Sequence, residues 1–148
     1  MYYQPLHIVI ADDDESDCMN FTDALQELRI KTTVHTLKDG IELMHYLEDE
    51  TMPLPGLLFL DLNMPRKNGL ECLKEIRKNE KLRMISVAIY STSSSEKDIE
   101  ETFIQGANVY IKKPNDFGRL KQALGKIIEQ AHVYRDPPFN LHNFIFRI

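Results

Sequence analysis

Four apolar runs in this chain each end in a group that can do chemistry. His7-Ile8-Val9-Ile10-Ala11 runs into Asp12 and Asp13, and Leu57-Leu58-Phe59-Leu60 into Asp61. Ile85 to Tyr90 runs into Ser91, and Asn108 to Lys112 into Lys113. Three carboxylates, a hydroxyl and an ammonium therefore follow directly on buried segments. The chemistry that suits this set is phosphoryl transfer to a carboxylate. The acceptor is an anion held near other anions, so a hard divalent cation, Mg²⁺ above all, is needed to neutralise charge. The lysine can pair with Asp61 and then with phosphoryl oxygens, and the serine hydroxyl can donate to the same oxygens. The product, an aspartyl phosphate, is a mixed anhydride and labile enough to act as a temporary mark.

Not every acid in the set needs that explanation. Asp14, Glu15 and Asp17 stand at the start of a predicted helix, where acids complement the helix dipole and Asp14 can cap the first turn. Asp12 and Asp13 come straight off a buried strand, and adjacent like charges are costly unless a cation compensates them. A lone Asp61 would pass for the first polar residue after a strand. The groups at the other strand ends give it company.

The elements that must position these groups alternate along the chain. Four apolar residues in a row at Leu57–Leu60 read as a central strand buried on both faces. Asn63, Pro65 and Lys67-Asn68-Gly69 then break it. Thr32 to Thr36 is β-branched and reads as an edge strand. Helical patterns carry Cys18, Phe21, Leu25 and Leu28; Ile41, Met44 and Leu47; Leu70, Leu73 and Ile76; Ile99 and Phe103; and Leu120, Ala123, Leu124, Ile127 and Ile128. Gly69 to Asn79 and Glu96 to Gln105 bound the third and fourth helices. Ser94 or Ser95 is expected to cap the fourth, and the last starts near Asn115 or Asp116. Five alternations of strand and helix predict a parallel α/β sheet with helices on both faces. In such a sheet the carboxyl ends of the strands converge on one crevice.

With 148 residues the chain is sized for one domain around one core. A net charge of −5 argues against a nucleic-acid-binding surface. Cys18 and Cys72 fall in predicted helices without metal-ligand spacing and read as buried free thiols in a reducing cytosol. The N-terminal Met1-Tyr2-Tyr3-Gln4-Pro5 has neither a basic nor an apolar leader region, and no stretch approaches a membrane span. A cytoplasmic protein without membrane or nucleic-acid partners is expected.

The chain resembles the response-regulator receiver domains of two-component signalling, in the stand-alone form found beside phytochrome-like kinases. The matching pieces are Asp12-Asp13, Asp61 within Asp-Leu-Asn-Met-Pro, Ser91, Tyr110 and Lys113-Pro114, in order and at the family's spacing. They cover roughly residues 6 to 130. The resemblance implies a doubly wound five-stranded parallel sheet in the order 2-1-3-4-5, the flavodoxin-like or CheY-like arrangement. It implies that Asp61 accepts a phosphoryl group from a sensor histidine kinase or phosphotransfer protein. Asp13 and Asp61 would bind Mg²⁺ through their carboxylates, Asn63 through its backbone carbonyl, and Asp12 mainly through a metal-bound water. Lys113 would bind the phosphoryl group, with a Lys113–Pro114 bond that is often cis. Ser91 would close on the phosphoryl oxygen and Tyr110 would swing inward behind it. That shift would remodel the face of the fourth helix, fifth strand and fifth helix for a downstream protein target. Ser91 stands where threonine is commoner. Thr92 is the alternative donor in a register shifted by one residue, but the two would point to opposite faces.

Residues 1–130 form the expected receiver domain and 131–148 an apolar C-terminal extension. Asp136-Pro137-Pro138 stops any helix. Phe144, Phe146 and Ile148 then share one face if the segment is extended. Two arrangements fit: packing on its own domain, or reaching a second copy as a homodimer. The function expected is a Mg-dependent phospho-acceptor that signals through protein binding and is not an enzyme. The alternatives are a docking module that works without phosphorylation, or a phosphatase with an aspartate nucleophile. Asn63 argues against the phosphatase, because it stands where such enzymes carry a second Asp as general acid.

Overall fold

The computed structural model describes residues 5–136, 138 and 140–147. Five strands, β1 (Leu6–Ala11), β2 (Thr32–Leu37), β3 (Leu57–Leu60), β4 (Val87–Ser91) and β5 (Val109–Lys112), form one parallel sheet in the order β2-β1-β3-β4-β5. Between them run α1 (Glu15–Leu28), α2 (Gly40–Glu48), α3 (Gly69–Lys78) and α4 (Glu96–Ile104), and α5 (Phe117–Glu129) follows β5. A short 3-10 helix, Ala131–Arg135, and a single-turn α6, Leu141–Phe144, complete the chain's elements. The alternation, the sheet order and the edge position of β2 all agree with expectation.

The pleat divides the core into two. Alternate strand residues Val9, Ala11, Leu58, Leu60, Val87, Ile89 and Tyr110 pack against α2, α3 and α4. Their neighbours Ile8, Ile10, Leu57, Phe59, Ala88, Tyr90 and Ile111 pack against Phe21, Ala24 and Leu25 of α1 and against Leu120, Leu124 and Ile127 of α5. A two-residue side-chain period makes this division automatic. It also sets the side on which each residue just past a strand end emerges.

The helices start where local chemistry dictates. Asp14, Asp39, Asn68, Ser95 and Asp116 are the N-caps of α1 to α5, and each side-chain oxygen accepts a backbone N–H three residues on. Asn68 and Glu71 form a reciprocal capping box. Gly106 has φ +90°, a left-handed conformation suited to the turn after α4.

One boundary is corrected here. The fourth strand begins at Val87, not Ile85, because the Ile85 N–H is spent on a turn to the Leu82 carbonyl; the strand extends through Ser91. The tail is helical at Phe144. Asn140 Oδ1 accepts the Asn143 N–H at 2.9 Å and starts the turn of α6. Phe144 is fully buried against Phe103 of α4 and Tyr110 of β5. Ile145 bridges Tyr110 in parallel, and the Phe146 N–H donates to the Tyr110 carbonyl at 2.9 Å. The Phe146 ring then packs with the cluster on the other face of the sheet. The tail thus wraps the free edge of β5, whose backbone groups would otherwise lack partners. Ile148 lies outside the described residues.

Candidate functional site

The parallel register brings the strand ends level. Ala11 lies beside Leu60, Leu60 beside Ile89, and Ser91 beside Lys112. Continuing the pleat, Asp12, Asp61 and Lys113 emerge on the α1 and α5 side, and Ser91 on the side of Tyr110 and α4. The structure accordingly holds the predicted residues as two adjoining groups.

Asp12, Asp13 and Asp61 form the first group, with carboxylate oxygens within 4.8 Å of one another. Asp61 is only 6% exposed, and Asp13 faces solvent. Lys113, its side chain 9% exposed, places Nζ 2.8 Å from Asp12 Oδ2 and 3.6 Å from Asp61 Oδ2. The Asp12 contact is close enough for an ion pair but lies outside hydrogen-bond geometry, so Asp12 Oδ2 is a buried oxygen without a hydrogen-bond partner. Its other oxygen accepts the Asp14 N–H at 2.9 Å. A buried carboxylate oxygen whose one close contact is the Lys113 ammonium, beside two further carboxylates at an open edge, suits a hard cation with oxygen ligands. The donor set therefore fits Mg²⁺. Asn63 is exposed on the next turn, and its N–H donates to Asp61 Oδ1 at 3.4 Å.

Burial pushes the Asp61 carboxyl up to about 6; the Lys113 charge opposes this and the Asp12 charge adds to it. Burial pulls the Lys113 ammonium down, but contacts with Asp12 and Asp17 and the charge of Asp61 more than reverse this, so it stays protonated. Its Nζ also lies 5.4 Å from the centre of the Tyr90 ring. No cis peptide occurs among the described residues, so the Lys113–Pro114 bond is trans, contrary to the expectation, and the ammonium reaches the carboxylates in that form.

The second group is buried beside the first. Ser91 is fully buried and its Oγ accepts the Ser93 N–H at 3.1 Å, whereas Thr92 is exposed. Tyr110 points inward, and its hydroxyl donates to the Ser93 carbonyl at 2.9 Å. One residue, Ser93, thus ties the hydroxyl at the end of β4 to the aromatic of β5.

Asp17 is a contact the sequence did not disclose. Its Oδ2 lies 2.8 Å from Lys113 Nζ. As an acid in the first turn of a helix it is already accounted for, and only the packing of α1 over the strand ends shows the second contact. The cysteines lie apart from this chemistry. Both are free, Cys18 half-buried rather than buried, and burial pushes their thiols up to about 11 and about 12.

Gly69, the first residue of α3, fixes the β3–α3 loop against the site. A Cβ there would lie 2.1 Å from the Asp61 carbonyl oxygen and 2.9 Å from Leu62 Cα. Backbone cannot yield as a side chain can. Gly69→Ala is expected to cost ~1–3 kcal/mol, the scale of overpacking, and to weaken Mg²⁺ binding by displacing Asp61. Urea unfolding with and without Mg²⁺ would measure both effects.

A parallel 2-1-3-4-5 sheet with an acidic, lysine-bearing crevice at its carboxyl edge defines a class of signalling domain. The response regulator receiver domain family matches residues 8–125, and the chain belongs to that family, which works in two-component signalling. It is 31% identical over 128 residues to the probable methanogenesis regulatory protein FilR2 of Methanothrix harundinacea, covering 84% of this chain and 83% of that one. It is 33% identical over 120 residues to response regulator Rcp1 of Synechocystis, covering 78% and 82%. The crystal structure of the Mn²⁺-bound form of Rcp1 superimposes with a TM-score of 0.76 at 31% identity, over 83% of this chain and 91% of that one. The phosphorylated cyanobacterial phytochrome response regulator RcpA does so with a TM-score of 0.81 at 33% identity, over 87% and 95%. Among the described residues no helix is long and apolar enough to cross a membrane.

Proposed function

We propose that this receiver domain is a phospho-acceptor. Asp61 takes a phosphoryl group from a phosphohistidine of a sensor histidine kinase or phosphotransfer protein, in a reaction that needs Mg²⁺. The observation that carries the reading is the shared lysine. One buried ammonium lies 2.8 Å from Asp12 and 3.6 Å from Asp61, and both carboxylates lie within 4.8 Å of a third. The phosphorylated and Mn²⁺-bound forms of its relatives support it.

A carboxylate oxygen of Asp61 attacks phosphorus, the P–N bond of the donor breaks, and its electron pair returns to the imidazole nitrogen. Lys113 turns to donate to the phosphoryl oxygens. Asp12, Asp13, Asp61 and the Asn63 backbone carbonyl would hold Mg²⁺, with Asp12 acting mainly through a bound water. The ion would neutralise carboxylate charge and draw in the donor's phosphoryl oxygens. The Ser91 O–H donates to a phosphoryl oxygen, which moves the Oγ that accepts the Ser93 N–H. Tyr110, tied to the same Ser93, responds to that movement and alters the α4–β5–α5 face, on which the α6 turn is packed, for a downstream protein. Chemistry on a small substrate is not part of this role. The setting is the cytoplasm, and residues 140–147 act as part of an extension packed on their own domain.

The test is incubation of the purified protein with acetyl phosphate and Mg²⁺, followed by intact mass. A gain of one phosphoryl group, absent when EDTA replaces Mg²⁺, is expected. No gain with any of several small phosphodonors would contradict the reading and favour a docking module.

A further inference from the structure

We infer that Asp17 is a positioning residue for Lys113, which it holds away from Asp61 and so keeps the acceptor's oxygens open to Mg²⁺. The inference rests on the proposed Mg²⁺ site. Lys113 Nζ lies 2.8 Å from Asp17 Oδ2 and 2.8 Å from Asp12 Oδ2, but 3.6 Å from Asp61 Oδ2. The ammonium is thus held between Asp12 and Asp17 and set back from Asp61. Both 2.8 Å contacts are close ion pairs, and that to Asp17 is also a hydrogen bond. The Asp17 side chain is 34% exposed, against 9% for Lys113, so it covers the lysine from the solvent side.

The local fold places Asp17 there. Asp14 caps α1 and accepts the Asp17 N–H at 3.0 Å, which fixes the first turn of the helix. That turn lies over the strand ends on the side where Asp12, Asp61 and Lys113 emerge. A cation that leaned fully on Asp61 would compete with a divalent ion for the same oxygens and repel it. A carboxylate that takes up the lysine's charge from the far side removes part of that competition. When a phosphoryl group arrives, the ammonium exchanges the Asp17 oxygen for a phosphoryl oxygen, a substitution of one anion for another.

A purely structural role is the competing account, because an acid in the first turn also favours the helix. Calorimetric titration with Mg²⁺, without phosphodonor, separates the two. Asp17→Asn is expected to raise the Mg²⁺ dissociation constant about five-fold, the scale of one partly screened ion pair. Glu15→Gln removes the same charge from the same helical turn without a contact to Lys113, and is expected to change it less than two-fold, on the same scale. Asp17→Glu is expected to recover most of the affinity. In a Lys113→Met background the Asp17→Asn effect is expected to vanish, because nothing is left to position. Equal effects of Asp17→Asn and Glu15→Gln, or an Asp17→Asn effect that survives in Lys113→Met, would overturn the inference. If Asp17→Asn fails to fold, Asp17→Glu and the Lys113→Met background decide by the same criteria. Wild-type protein that takes up no phosphoryl group yet shows the Asp17 pattern would sink the proposed function and leave the ion-pair inference standing. Wild-type protein that binds no Mg²⁺ would sink both.

Discussion

Asp61→Asn is expected to make the metal-free protein more stable at pH 8 by ~2–3 kcal/mol while abolishing phosphoryl uptake. The reason is the carboxyl's environment. Burial, with the Asp12 charge behind it, raises the folded-state value from 3.8 to about 6. Between those two values the folded state binds a proton that the unfolded state has released. By linkage, stability falls as pH rises through that window. The cost is absent below ~pH 4 and complete above ~pH 6, and a gap of about two between the folded and unfolded values corresponds to at most ~3 kcal/mol. Asparagine keeps the shape and removes the charge. Lys113 retains Asp12 and Asp17 as partners. Urea unfolding in EDTA at pH 8 and pH 4 is the check. The gap between variant and wild type should be large at the first pH and small at the second. An equal gap at both would mean that Asp61 does not carry the strain assigned to it. The site would thus be destabilised for function, since a carboxylate held unfavourably at neutral pH gains most from a cation and a phosphoryl group.

Phe144→Ala is expected to cost up to ~3–5 kcal/mol, the scale for a fully buried ring. Its effect is expected to be local. The ring belongs to a terminal segment, so the tail can undock once the cavity costs more than docking returns. Undocking frees the β5 edge, breaks the bond from the Phe146 N–H to the Tyr110 carbonyl, and uncovers Phe103 and Tyr110. Hydrogen exchange should show the Phe146 amide losing protection in the variant while β1 and β3 keep theirs. Unchanged protection at Phe146 would show that other contacts hold the tail. Because the tail sits directly on Tyr110, the same variant would loosen the residue assigned to the switch.

Much of the molecule is legible in its residues. Leu57–Leu60 can be read to its last residue because a buried parallel strand is apolar at every position and Asp61 ends it abruptly. The helix starts are legible because Asp14, Asp39, Asn68, Ser95 and Asp116 cap by local chemistry. Alternation gives the class of sheet, but its order comes from the family resemblance, since no local signal says which strands are neighbours. Other features depend on what the chain meets in space. The start of β4 is decided by a turn to Leu82, against the apolar pattern at Ile85. The tail's apolar residues share one face only if the segment is extended; the cap at Asn140 starts a helical turn there, and Phe144 and Phe146 go to opposite faces of the sheet. Asp17 stays hidden because one residue type answers to two causes. An acid in a first turn is explained by the helix alone, until the packing of α1 brings Lys113 within 2.8 Å.

The central claim is that Asp61 is the residue that carries the phosphoryl group, and the most direct measurement locates the group chemically. The protein would be incubated with acetyl phosphate and Mg²⁺, reduced with borohydride, digested and sequenced by tandem mass spectrometry. Borohydride converts an aspartyl phosphate into the alcohol, homoserine, and leaves free carboxylates intact. The expected result is homoserine at position 61 alone, lost when EDTA replaces Mg²⁺. Homoserine at Asp12, Asp13 or Asp17 instead, or phosphoryl uptake that leaves no reducible aspartate, would contradict the assignment.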